Sequence, residues 1–187
     1  QGIPKFMSTD QQALNDYFGN HWHGGQDNWV ITNTKNIASK IESWECVLDV
    51  GCGYNPFKQY VDCLYAFDPA IDSGNEVCSL EDFDSEGNKY NVILCMGSIN
   101  FGNYEHIQSQ IKKIVSMLAP GGRIYWRQNP GLADHGNKEC KDVPFFPWDI
   151  NVNWELAEEF GCQVKDIQID HHTKADRVRL YAEWIKQ

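Results

Sequence analysis

No stretch of this sequence is apolar for long enough to cross a bilayer as a helix, and no secretory pattern opens it. A membrane-spanning helix is excluded on that ground, and a cytoplasmic location is expected. Runs of lysine or arginine are also missing. Lys and Arg number 16 against 26 Asp and Glu, a formal net charge of −10. A chain this acidic has no general attraction for nucleic acid or an anionic membrane, so neither is an expected partner. Seven cysteines are present, yet no two form Cys-x-x-Cys, and their number is odd. Several fall in predicted strands, where buried free thiols of a reducing compartment are expected. Internal repeats, low-complexity tracts and linkers are absent as well. The 187 residues are therefore read as one domain. With 42% hydrophobic and 13% aromatic residues, the chain can build a core.

What is present centres on Val47-Leu48-Asp49-Val50-Gly51-Cys52-Gly53-Tyr54-Asn55-Pro56. Val47, Leu48 and Val50 make the short apolar run of a parallel strand covered on both faces. Gly51 and Gly53 allow a tight turn and a close approach of backbone to a ligand. Asn55 suits an N-cap and Pro56 the first helical position, so a helix is predicted to start there. Its free N–H groups would favour an electronegative ligand group. Residues 64–68 read as a second strand ending in Asp68, nineteen residues after Asp49. That is close to the spacing of about 20 expected of an acid that binds ribose hydroxyls in a βαβ nucleotide site.

Along the chain, a capping box at Ser8 opens a short helix to Phe18, with Leu14, Tyr17 and Phe18 as its apolar stripe. A helix is predicted over 33–43, with Ile37 and Ile41 one turn apart. Short strands are predicted over 75–78 and 90–96. Ile107, Ile111, Ile114, Val115 and Leu118 share one face of a helix over 103–118. Pro120-Gly121-Gly122 ends it and leads into a strand over 123–128. A helix over 154–160 and two antiparallel strands, 163–170 and 177–185, complete the order. The alternation of strand and helix argues for an α/β chain with a doubly wound parallel sheet. Ligands in such sheets sit beyond the carboxyl ends of the strands, where strand order switches.

Leu48-Asp49-Val50-Gly51-Cys52-Gly53 resembles the first motif of the class I S-adenosylmethionine-dependent methyltransferases. Leu118-Ala119-Pro120-Gly121-Gly122 is similar to that family's turn before the fifth strand. The resemblance covers residues 46–128. It implies a Rossmann-like, mostly parallel sheet of seven strands with an antiparallel C-terminal strand and helices on both faces. Four parts are expected: a helical cap (1–44), a cofactor-binding core (45–128), a substrate loop (129–150), and a C-terminal helix with a strand pair (151–187). The implied cofactor is S-adenosylmethionine. Asp68 falls where the family has its ribose acid, and Asp49 where an acid supports the glycine turn and reaches the methionine ammonium through water. Gly51, Cys52, Gly53 and Pro69 belong to the same cofactor set. Leu80 falls where the family holds adenine, and Glu81 or Asp82 could reach its amino group, the plainer reading being two exposed acids at a helix start; Met96 and Gly97 could present backbone to the methionine or adenosine part, or simply end a strand. An Asn/Asp-Pro-Pro-aromatic motif after the fourth strand, carried by enzymes that modify nucleic-acid amino groups, is absent. Asn55 stands where a third glycine often falls.

Methyl transfer needs alignment, water exclusion and sometimes proton removal. Trp22, flanked by His21 and His23, could cover the sulfonium with its ring face. His21, His23 or His135 could act as general base, since imidazole titrates near neutrality. A packing or solvated-loop role is the alternative for each. No metal is expected, because His21 and His23 have no further ligands at a recognisable spacing. Arg127 could bind an acidic substrate group, with a surface ion pair as the plainer reading. Phe145, Phe146 and Trp148 could shape a substrate pocket or pin the loop to the core. His106 is read as lying on an exposed helix start, and His171-His172 in a surface hairpin. The expected function is methyl transfer to a small molecule. The alternatives are a non-catalytic S-adenosylmethionine-binding module of the same fold and, further off, a nicotinamide-dependent oxidoreductase.

Overall fold

Alternation of apolar side chains to two faces sets the architecture. A computed structural model of the chain describes residues 5–24, 27–131 and 142–187. After α1 (Ser8–Asn20) and α2 (Thr34–Ala38) come β1 (Cys46–Val50), a single 3-10 turn at Pro56–Gln59, β2 (Cys63–Asp68) and β3 (Glu76–Val77). Then follow β4 (Tyr90–Met96), α3 (Tyr104–Ser116), β5 (Leu118–Gln128), α4 (Ile150–Glu159), β6 (Cys162–His171) and β7 (Val178–Lys186). The strands form one seven-stranded sheet in the order β3-β2-β1-β4-β5-β7-β6. Only β7 runs against its neighbours.

In β4, Ile93 and Cys95 face one side, with the buried isoleucines of α3 and Leu156 of α4. Val92, Leu94 and Met96 face the other, with Ile37 of α2 and Phe57 of the 3-10 turn. The sheet is thus covered on both sides, which is why its central strands read as unbroken apolar runs. Trp126, Trp148 and Trp184 are fully buried beneath α4.

Several expectations are corrected. The helix predicted over 33–43 closes after Ala38, although Ile37 and Ile41 do pack together. The helix predicted from Pro56 is one 3-10 turn, because the backbone enters it from a left-handed Asn55 (φ 57°). Asn55 does not cap it: its side-chain amide donates to the Ser73 carbonyl at 3.0 Å. Cys46 and Cys63 are not free thiols. They open adjacent parallel strands in direct register, with Cα atoms 4.8 Å apart, and are joined as a disulfide.

Candidate cofactor and acceptor site

The turn after β1 is fastened to the end of β2. Gly51 N and Cys52 N both donate to the Phe67 carbonyl at 3.0 Å, and Gly53 N donates to Asp68 Oδ2 at 2.9 Å. Three alternate positions, Gly51 (φ 69°), Gly53 (φ 57°) and Asn55, adopt left-handed backbone. Asparagine is among the few residues that tolerate this region, so it serves where a third glycine was missing. Gly51 is constrained twice, since a Cβ there would lie 2.5 Å from Ser98 Cβ.

Above this turn, at the carboxyl ends of β1, β2 and β4, lies a cavity of about 560 Å³. That size suits a cofactor-sized ligand. It sits where strand order reverses, between β1 and β4. Gly51 and Gly53 form its floor, Asp68 and Pro69 one wall, and Met96 and Gly97 the opposite one. Leu80 and Glu81 close the end beyond β3, and His21, Trp22 and His23 reach over from the segment after α1. Trp22 stacks on Tyr54 at 5.1 Å, and its carbonyl accepts from the Tyr54 hydroxyl at 2.7 Å.

Two of the sequence-derived cofactor residues do not line this space. Cys52 turns its sulfur toward Ser73 Oγ, 3.7 Å away, and burial pushes its thiol up to about 12. Asp49 is buried beneath the turn at 2% exposure, and among the described residues nothing hydrogen-bonds to its carboxylate. Burial above all, and then the Asp68 charge, raise Asp49 to about 7, while Arg127 works in the opposite sense. Asp68 accepts also from Ala70 N (2.8 Å) and Ile71 N (2.9 Å). Burial raises its carboxyl and those three backbone donors hold it down. His135 lies outside the described residues.

Other residues at the cavity had weak or no sequence signal. Among the described residues, Ser98 Oγ and Gln110 Oε1 are buried at its edge without a hydrogen-bond partner. His106 is not an exposed helix-start residue: it stacks on Phe6 at 4.4 Å and lies 3.8 Å from Glu81. His171 and His172 lie in the hairpin between β6 and β7, as read from the sequence; His171 is exposed, whereas His172 also meets the Trp29 ring at 5.0 Å. Arg127 is not a surface ion-pair residue. It is buried and donates to Met96 O (2.9 Å), Thr32 O (3.2 Å) and Thr32 Oγ1 (3.3 Å). Of the three aromatics after residue 144, Phe146 and Trp148 pack into the core and Phe145 reaches the cavity. Trp148 Nε1 donates to Ile99 O at 2.8 Å, tying that segment to the strand end beside the site.

No protein-family model matches the sequence, and no curated protein matches it. Solved structures do. The 1,6-didemethyltoxoflavin-N1-methyltransferase of Burkholderia thailandensis, solved with bound 1,6-didemethyltoxoflavin and S-adenosylhomocysteine, aligns over 100% of this chain and 94% of its own, with TM-score 0.72 and 17% identity. The N-methyltransferase NodS of Bradyrhizobium japonicum, bound to S-adenosylhomocysteine, aligns over 95% and 98%, with TM-score 0.67 and 14% identity. The magnesium protoporphyrin IX methyltransferase of Synechocystis, bound to S-adenosylmethionine, aligns over 95% and 97%, with TM-score 0.64 and 14% identity. The chain has the Rossmann-like fold of the class I S-adenosylmethionine-dependent methyltransferases, with its antiparallel seventh strand in place.

Proposed function

We propose that this protein is an S-adenosylmethionine-dependent methyltransferase acting on a small molecule. The observation that carries the reading is the glycine turn fastened to Asp68 beneath a cavity at the strand-order switch. The residues present fit the cofactor. An ionised carboxylate offers about four acceptor sites, and Asp68 uses three on backbone N–H groups. It keeps capacity for a ribose hydroxyl. Asp49, buried without a donor, suits a positive charge above the turn. Ser98 Oγ and Gln110 Oε1, unpartnered among the described residues, give a polar ligand further bonds. Leu80 and Glu81 would hold the base, and Met96 and Gly97 would flank the amino-acid part. When bound, S-adenosylmethionine supplies an activated methyl group on a sulfonium.

The chain's own task is then to orient, enclose and deprotonate. Trp22, braced by Tyr54, covers the mouth with a ring face that favours positive charge. His21 and His23 flank it and are the candidates to take a proton from the acceptor. Three structural neighbours act, by their names, on 1,6-didemethyltoxoflavin, on magnesium protoporphyrin IX and, for NodS, on an unnamed N-acceptor. Together with the acidic charge, they favour a small acceptor over nucleic acid. Calorimetry with S-adenosylhomocysteine and with NAD tests the reading. Binding of the first alone is expected; binding of NAD alone would sink it. Cofactor binding with no transfer to any of a broad set of acceptors would instead favour a non-catalytic module.

A further inference from the structure

The apolar stripe of α1 lies over the cavity. Leu14, Tyr17 and Phe18 share one face of that helix, and all three line the space. Only Leu14 is buried; Tyr17 and Phe18 stay half-buried. An amphipathic helix usually buries such a stripe against the core. Here the stripe joins a small cluster with Phe101, Val143 and Phe145, separate from the two cores on the faces of the sheet.

The rings of this end meet edge-on or tilted. Phe18 stands at 73° to Trp22, with centroids 5.6 Å apart, and at 71° to Phe101, with centroids 6.4 Å apart. Phe101 stands at 55° to Phe145, at 4.9 Å. None of these three pairs is a parallel stack, and all four rings border the cavity. The backbone sets two of them. Phe101 and Phe145 lie opposite each other in an antiparallel bridge, and Gly102 N donates to Pro144 O at 2.7 Å.

The aromatic end is distinct from the end that suits the adenosyl group. Phe101 follows β4 and Phe145 precedes α4, whereas Leu80 and Glu81 close the cavity beyond β3, on the far side of the order switch. Aliphatic side chains dominate the core around β4 and α3, so the concentration of rings here is local. Ring faces and ring edges carry opposite partial charge, and rings set at steep angles offer both to a flat π system.

We propose that the methyl acceptor is a planar aromatic molecule, its ring held among Phe18, Phe101 and Phe145 with Trp22 on the cofactor side. The proposal rests on the methyltransferase reading above and names the chemical class of its substrate. A nitrogen or oxygen of the acceptor forms the new bond to the methyl carbon while the carbon–sulfur bond breaks. That bond's electron pair stays on sulfur, and the acceptor's proton passes to His21 or His23.

The test loads the full chain with S-adenosylhomocysteine and titrates two probes by calorimetry and NMR. One is 2-naphthol; the other is decahydro-2-naphthol, which has the same carbon skeleton and hydroxyl but is not flat. The flat probe should bind roughly tenfold more tightly, with its ring protons shifted upfield by neighbouring rings. Phe18→Leu and Phe145→Leu keep apolar bulk and remove a ring. Each should weaken 2-naphthol roughly three- to tenfold, with the saturated probe and S-adenosylhomocysteine unaffected. Should a variant fail to fold, the wild-type preference still decides. The proposal is overturned if 2-naphthol does not bind the loaded wild type, binds no better than its saturated counterpart, or binds both variants as it binds wild type. A tenfold loss of S-adenosylhomocysteine affinity in the variants also overturns it, by assigning the rings to the cofactor. Failure of the wild type to bind S-adenosylhomocysteine would overturn the methyltransferase reading itself, and the proposal with it.

Discussion

Asp49 and Asp68 are two acids beside one glycine turn, and only Asp68 lines the cavity. Asp68 has three backbone donors, whereas Asp49 has none among the described residues and holds its proton up to about 7. An unfolded chain gives that proton up near 3.8. Between about 4 and about 7 the folded state therefore binds a proton that the unfolded state has lost, and stability falls as pH rises through the window. Asp49→Asn should remove this loss. Thermal melts without cofactor are expected to show the variant gaining stability over wild type at pH 7 and gaining little at pH 4. The same variant should bind S-adenosylhomocysteine more weakly, because the amide cannot offset a cation. Asp68→Ala should cost roughly tenfold to a hundredfold in S-adenosylhomocysteine affinity, as expected for a charged hydrogen-bonding group. Unchanged affinity in a folded Asp68→Ala protein would remove the ribose assignment.

At the scale of elements, what could be read from the sequence is what repeats with a period. The apolar run of β4 and the one-sided isoleucines of α3 fix those elements almost to the residue. The β1 turn and the acid ending β2 were legible because their chemistry is local. What escaped depends on distant partners. Arg127 looked like a surface ion-pair residue because nothing near it in sequence shows that Thr32 and Met96 will enclose it. Arg179, His172 and Trp29 converge from separate segments, so no spacing announces them. Asn55 was misread as a cap because a helix start and a left-handed turn favour the same residue type. The turn itself offers a sharp test. Gly51→Ala places a Cβ 2.5 Å from Ser98 Cβ at a positive φ. The left-handed conformation alone costs about 1–2 kcal/mol for an L-residue. The variant should melt lower and lose most cofactor affinity. Pairing it with Ser98→Gly, which removes that Cβ, should recover part of the stability.

Across the whole molecule, the two ends of the parallel strands have separate duties. The carboxyl ends of β1 and β2 hold the cavity, and their amino ends are joined by the Cys46–Cys63 disulfide. This bond overturns the expectation of free thiols for Cys46 and Cys63 alone, since Cys52, Cys95 and Cys162 are buried and free; cysteine spacing in sequence says nothing about which strands will lie side by side. Cross-linking residues 17 apart should contribute about 3 kcal/mol by restricting the unfolded chain. Reduction, or the Cys46→Ser/Cys63→Ser variant, should lower the unfolding midpoint by roughly 6 to 12 °C for a chain of this size. Affinity for S-adenosylhomocysteine at 25 °C should stay the same. A midpoint indifferent to dithiothreitol would show that the bond does not form in solution.

The geography of that staple has a practical corollary. A reductant added to an assay would loosen the scaffold from its base while leaving the crevice at its top untouched. Ligand binding measured in a cool cuvette would look healthy, and the weakening would surface only as a shortened working life once the sample was warmed.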